Sequence, residues 1–178
     1  MPRRIVGVAA AAALVLVLGT AAVAQSVWSS FKHPSFGFSL TYPREWEVTS
    51  DDGTLAVMIM GPEPAGVRSL RLNVNVTTDR VPAGMTVERF EAVSESRMGL
   101  LFNAYQRLRT DRTTVGGVPA VLRYYTWKRN DGLELYQMQL YVVAGERGYV
   151  VTGTTSTQSG ALQREAALLL RIIQTFRP

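Results

Sequence analysis

The chain has 178 residues, 47% of them hydrophobic, with 19 basic and 14 acidic side chains, one histidine and no cysteine. The lack of cysteine excludes disulfides, thiol catalysis, cysteine metal sites and a lipid anchor on a cleavage-site cysteine, so the fold must rest on its hydrophobic core alone. The net charge is +5, but two of the arginines stand in the N-terminal segment and the rest are scattered rather than clustered, which argues against nucleic acid as a partner.

Arg3 and Arg4, the uncharged apolar run Ile5 to Leu18, and the small-x-small series Ala22-Val23-Ala24 have the three-part pattern of a signal peptide over residues 1–24. The competing reading is a retained membrane anchor, because Ile5 to Ala24 carries no charge and a helix of that length spans about 30 Å. The small residues from Gly19 to Ala22 suit an extended cleavage site, and cleavage between Ala24 and Gln25 is expected, with export by the general secretory route. Membrane contact is then expected only if the segment is not cleaved. Removing it leaves 154 residues, the size of one domain with one core. Residues 25–33 read as a short linker and 34–178 as a single domain.

Phe36 to Tyr42 alternates with period two and stops at Pro43, which is strand patterning with a terminator. Phe36, Phe38, Leu40 and Tyr42 would share one face, and Trp46 would cover the edge of the core. Asp51-Asp52-Gly53 is a turn before a strand at Leu55 to Met60, and Gly61 to Gly66 is a loop. Leu70, Leu72, Val74 and Val76 alternate with Arg71, Asn73 and Asn75, the pattern of a half-buried strand. Thr86 then suits an N-cap, with Glu88 and Glu91 in the first turn of a helix running to about Phe102, on which Val87, Phe90, Met98 and Leu101 approximate one apolar face. Leu108 to Val115, the Gly116-Gly117 turn and Val118 to Arg129 make a hairpin. Asn130-Asp131-Gly132 returns the chain along Leu133 to Val143. A further turn at Ala144 to Gly148 leads into Tyr149 to Thr155. Leu162, Ala166, Leu169, Ile173 and Phe176 line one face of a terminal helix, which must pack flat on a sheet, the strand meander being its nearest partner.

The segment Phe36-Gly37-Phe38-Ser39-Leu40-Thr41-Tyr42-Pro43-Arg44-Glu45-Trp46-Glu47-Val48 resembles the entry strand of the PsbP-like superfamily, which includes the photosystem II PsbP proteins, the bacterial DcrB proteins and the LpqN-type exported proteins. Gly116-Gly117-Val118-Pro119-Ala120 resembles the glycine turn before a long strand in the same proteins, and the element order agrees over about Phe31 to Arg177. The resemblance implies an α+β fold, a central antiparallel β-sheet with helices packed on its faces as an α/β/α sandwich. It also implies a non-enzymatic role.

Catalytic constellations are missing from the sequence. His33 is the only histidine, there is no G-x-S-x-G elbow, and Gly116-Gly117 lacks the Lys-Ser/Thr of a phosphate loop. His33 is expected on the surface of the linker. The close acidic sets Asp51-Asp52, Glu45 with Glu47, and Glu91 with Glu95 are each expected to be solvated. No enzyme activity, cofactor or metal is expected.

What remains is a polar and aromatic strand face. Arg123, Tyr125, Trp127 and Arg129 recur at period two, with Tyr136 or Gln137 on the neighbouring strand. Covered by a helix, this face is core with arginines at its margins; uncovered, it is a platform for a partner. The expected function is that of an exported binding or assembly module docking onto a protein or other component of the envelope or membrane. The alternative is a small-molecule or lipid carrier, with a pocket between sheet and helix lined by residues such as Met58, Met60 and Met138.

Overall fold

The computed structural model describes residues 28–63 and 70–178, so the signal-peptide reading of residues 1–24 lies outside the described residues. Strands β1 (Trp28–Lys32) and β2 (Ser39–Pro43) form a small antiparallel sheet. The remaining strands are β3 (Glu47–Ser50), β4 (Leu55–Met60), β5 (Asn73–Arg80), β6 (Gln106–Val115), β7 (Val118–Lys128), β8 (Glu134–Ala144) and β9 (Arg147–Ser156). They make one antiparallel sheet in the order β3-β4-β5-β9-β8-β7-β6. Helix α1 (Val87–Leu101) follows β5, and α2 (Leu162–Gln174) follows β9.

Side chains alternate across each strand, and each helix takes one face of the sheet. Val74, Val76, Leu122, Leu140 and Val151 face α2 and pack with Leu169, Ile172, Ile173 and Phe176. Their sequence neighbours Val121, Tyr141 and Val150 face α1 and pack with Val87 and Phe90. The result is the expected α/β/α sandwich. Thr86 caps α1, its hydroxyl accepting from the Arg89 N–H at 3.2 Å. Gly116 and Gly117, at φ +58 and +80, supply the two left-handed positions of a two-residue hairpin turn. Trp46 is 5% exposed and sits against Gly61, where an added Cβ would come within 3.1 Å of the indole.

Two departures from the sequence reading lie at the start of the domain. The segment expected as linker over residues 25–33 contains β1, which pairs with β2 from Trp28↔Pro43 to Lys32↔Ser39. Phe36 to Phe38, expected as strand, instead forms the turn between them, with Gly37 at φ +76 and the Phe38 carbonyl accepting from His33 N–H at 2.8 Å. His33 is therefore not a surface residue: it is 1% exposed. Its Nδ1 accepts from the N–H groups of Ser35 and Phe36 at 3.2 Å each, and its Nε2 is 2.8 Å from the Asp51 carbonyl. The imidazole replaces the backbone partners that a tight turn cannot provide for itself.

Candidate functional site

The odd-numbered residues of β7 project toward α1, and the helix lies across them. Arg123 is 0% exposed. Its Nε donates to Glu91 Oε1 at 2.8 Å, Nη2 donates to the Glu91 carbonyl at 2.9 Å and also pairs with Glu91 Oε1, and Nη1 donates to Tyr141 Oη at 3.0 Å and faces Met98 Sδ at 2.9 Å. A guanidinium has five N–H groups, and all five are engaged. Burial opposes the charge on Arg123, but Tyr141 and the Glu91 carboxylate outweigh it and hold its pKa above the ordinary arginine value. Glu91, expected in solvent, is instead the buried counter-ion, because it points inward from the second turn of α1. Glu95 lies one turn on, 3.6 Å from Arg123 and bridged to Arg107 at 2.8 Å.

From this pair the network runs outward. Tyr141 donates to Gln139 Oε1 at 2.5 Å, and Gln139 donates to Thr152 Oγ1 at 3.2 Å. Burial pushes the Tyr141 hydroxyl up to about 12. One register step along, Gln137 Oε1 accepts from Tyr125 Oη at 2.6 Å and from Trp127 Nε1 at 2.8 Å, while its Nε2 donates to Thr154 Oγ1 at 2.8 Å. Burial also raises Tyr125 well above the tyrosine range. Among the described residues no buried side-chain nitrogen or oxygen lacks a hydrogen-bond partner. A network closed in this way holds a helix on a sheet.

The four residues singled out from the sequence thus divide. Arg123 and Tyr125 are enclosed beneath α1, the covered of the two arrangements open to this face, although Arg123 lies at the centre of the buried cluster and not at its margin. Trp127 is half-buried, its ring 4.6 Å from that of Phe102 at the end of α1. Arg129 is half-exposed and pairs with Asp131 in the adjacent turn, and the guanidinium there holds the Asp131 carboxyl below its ordinary value.

The methionines named for a pocket between sheet and helix do not share one face of the sheet. Met138 faces the α2 core, whereas Met58, through Asn75 and Thr152, shares the opposite face with Gln139. At the α2 interface Gly153 is so closely covered that a Cβ would lie 3.0 Å from Ile173 and 3.1 Å from Leu169.

Sequence reading did not find the open feature on the α1 side. A groove of about 250 Å³ runs between α1 and β5–β9, with Phe90, Val93, Arg97 and Leu101 on the helix and Thr77 and Asp79 on the sheet. Around it Val93, Leu100 and Leu101 are 44%, 89% and 74% exposed, so Leu101 does not share the burial of Val87 and Met98 that one common apolar face predicts. Phe102 also lines the groove, so Trp127 extends its apolar end. The available signal was the Gly99-Leu100-Leu101-Phe102 run, more apolar than one buried stripe can absorb.

The family model for DcrB matches residues 39–175. Three solved structures share the fold. The Pseudomonas aeruginosa protein PA94 is 17% identical with TM-score 0.57, covering 85% of this chain and 96% of its own. The cyanobacterial PsbP protein of Synechocystis is 13% identical with TM-score 0.58, covering 88% and 95%. LpqN of Mycobacterium tuberculosis, a protein involved in cell envelope biogenesis, is 11% identical with TM-score 0.59, covering 84% and 89%. No curated protein matches the chain. At these identities the likeness carries the PsbP-like fold and nothing finer.

Proposed function

This chain belongs to the DcrB family, and from that premise we propose that it is an exported, non-enzymatic binding module that docks an envelope or membrane-associated protein on the flank of α1. The observation that carries the reading is the exposed apolar end of that helix. Leu100 and Leu101 stand in solvent beside a groove, whereas the apolar face of α2 is buried in the core. An apolar centre with Arg97 and Asp79 at its edges has the composition of a protein interface. The closed hydrogen-bond network beneath the helix supports a rigid docking scaffold rather than a reacting centre. The likeness to LpqN, whose role lies in envelope biogenesis, supports an extracytoplasmic setting, as does the leader pattern of residues 1–24.

Capture of partners from the native envelope fraction, compared between wild type and Leu101→Glu, tests the docking surface. The expected result is a protein retained by wild type and lost with Leu101→Glu, which should weaken binding by at least about 2 kcal/mol with unchanged thermal melts; Trp127→Ala should weaken binding similarly but also lower the melt, because it removes the hydrogen bond to Gln137. Retention by Leu101→Glu at wild-type strength would remove the α1 flank as the site. N-terminal sequencing of the exported protein tests the setting separately, with Gln25 expected as the first residue. A chain in the membrane pellet that still begins at Met1 would establish the anchor instead.

A further inference from the structure

We propose that the end of the sheet formed by β5 and the β8–β9 turn is an anion-binding notch, in which Arg80 and Arg147 together hold a phosphate-type oxyanion. These two arginines are direct cross-strand partners at the last register position of the β5–β9 pair. Directly opposed like charges are unfavourable in a sheet. Among the described residues neither Arg80 nor Arg147 has a carboxylate within 4.0 Å.

The side chains are also positioned for a shared ligand. Strand alternation places both on the α2 side with Tyr149, while Asp79 projects to the other face and lines the α1 groove. The Arg147 guanidinium carbon stands 4.4 Å over the centre of the Phe36 ring. A cation over an aromatic ring uses none of the guanidinium's five N–H donors as conventional hydrogen bonds to oxygen. Between the two arginines lies a concavity of about 370 Å³, lined also by Ala144, Glu146 and Tyr149.

The chemistry suits a tetrahedral oxyanion. A carboxylate offers only two oxygens, and a single bidentate fork engages both, so a second fork must share them. Phosphate presents further oxygens and can accept from both forks at once. Glu146, at the rim, reduces the net charge of the notch, so recognition rests on donor geometry more than on bulk charge. The phosphate can belong to a soluble phosphate compound or to a lipid headgroup, and both supply the same acceptor set. The notch lies across the sheet from the α1 groove, so its fate is independent of the docking surface.

The test is an amide NMR titration of the purified protein with inorganic phosphate, at ionic strength held constant with chloride. A parallel sedimentation assay uses phosphatidylcholine vesicles with and without phosphatidylglycerol. Saturable shifts centred on Arg80, Arg147 and Tyr149 are expected, at least tenfold weaker in Arg80→Gln and Arg147→Gln and unchanged in Arg89→Gln. Sedimentation that needs phosphatidylglycerol and the same two arginines identifies the headgroup as the source; shifts without sedimentation identify a soluble phosphate. Arg147→Lys keeps the charge and the stem and so guards against a folding defect. It should still lose at least threefold in affinity, because an ammonium lacks the planar fork. No saturable response to either probe, an equal loss in Arg89→Gln, or full affinity in Arg147→Lys would overturn the notch.

Discussion

Removing Arg123 should be among the most damaging single changes in the molecule. Arg123→Leu leaves the Glu91 carboxylate buried without its partner, and the expected cost is about 3 to 5 kcal/mol in urea denaturation. The double replacement Arg123→Leu with Glu91→Leu should cost clearly less than the single one, because no charge is then stranded. Tyr141 gives the same cluster a signature in pH. Its folded pKa is raised to about 12 by burial first of all, above the ordinary value near 10. The unfolded chain therefore releases its proton first, so the contribution is fully present below pH 10 and is lost as pH rises toward 12. Tyrosinate absorbance followed with denaturation should show this hydroxyl ionising together with alkaline unfolding; ionisation in the intact fold at pH 10 would refute the buried assignment. Trp46, buried against Gly61 as its position after the entry strand suggested, should cost about 3 to 5 kcal/mol as Trp46→Ala. Period-two spacing made the β7 side chains legible as one face. It could not say that Glu91, 32 positions before Arg123, would close over it, since that pairing depends on where α1 lands.

The two helices differ in how they are held. The seam of α2 is apolar, with Leu169, Ile172 and Ile173 at full burial, and the spacing of those residues announced it. Helix α1 buries Val87, Glu91 and Met98, so much of its attachment is the Arg123 network plus the insertion of Phe90 over Gly148. A Cβ on Gly148 would meet the Phe90 ring at 2.6 Å. Gly148→Ala should therefore push Phe90 outward, destabilise the protein by about 1 to 3 kcal/mol and loosen α1 more than α2. Native-state hydrogen exchange is the suitable readout, with α1 amides expected to exchange by a lower-energy opening than those of α2 or β8. Equal protection of the two helices would contradict this division. At the start of the domain the strand boundaries were misplaced, because Phe36-Gly37-Phe38 carries strand composition yet is bent by Gly37 and held by the His33 ring. Nothing in local propensity signals that an imidazole will cap a turn.

At the scale of the whole molecule, the two ends of the domain are tied together. The N–H of Ser39 donates to the Arg177 carbonyl at 2.8 Å and the reverse bond has the same length, while Phe176 packs against Phe38 and Tyr149. Arg171 adds a contact over the Trp28 ring at 4.3 Å. Phe176→Ala should then cost about 3 to 5 kcal/mol and raise hydrogen exchange in β1 and β2 as well as in α2; a loss confined to the helix would show that the ends fold independently. Turn residues, period-two and period-3.6 patterns and caps are local, so the meander and both helices follow from sequence alone, as does reliance on an apolar core in a chain without cysteine, while the α+β class came from the family resemblance of the entry segment. The tertiary structure alone decided that β9 joins β5 at the centre of the sheet, that α1 rather than α2 covers Arg123 and Tyr125, that Leu101 faces solvent, and that Arg80 and Arg147 stand side by side at the end of the sheet. Those outcomes depend on contacts between segments far apart in the chain, where local pattern specifies which residues are apolar or charged but not which surfaces meet.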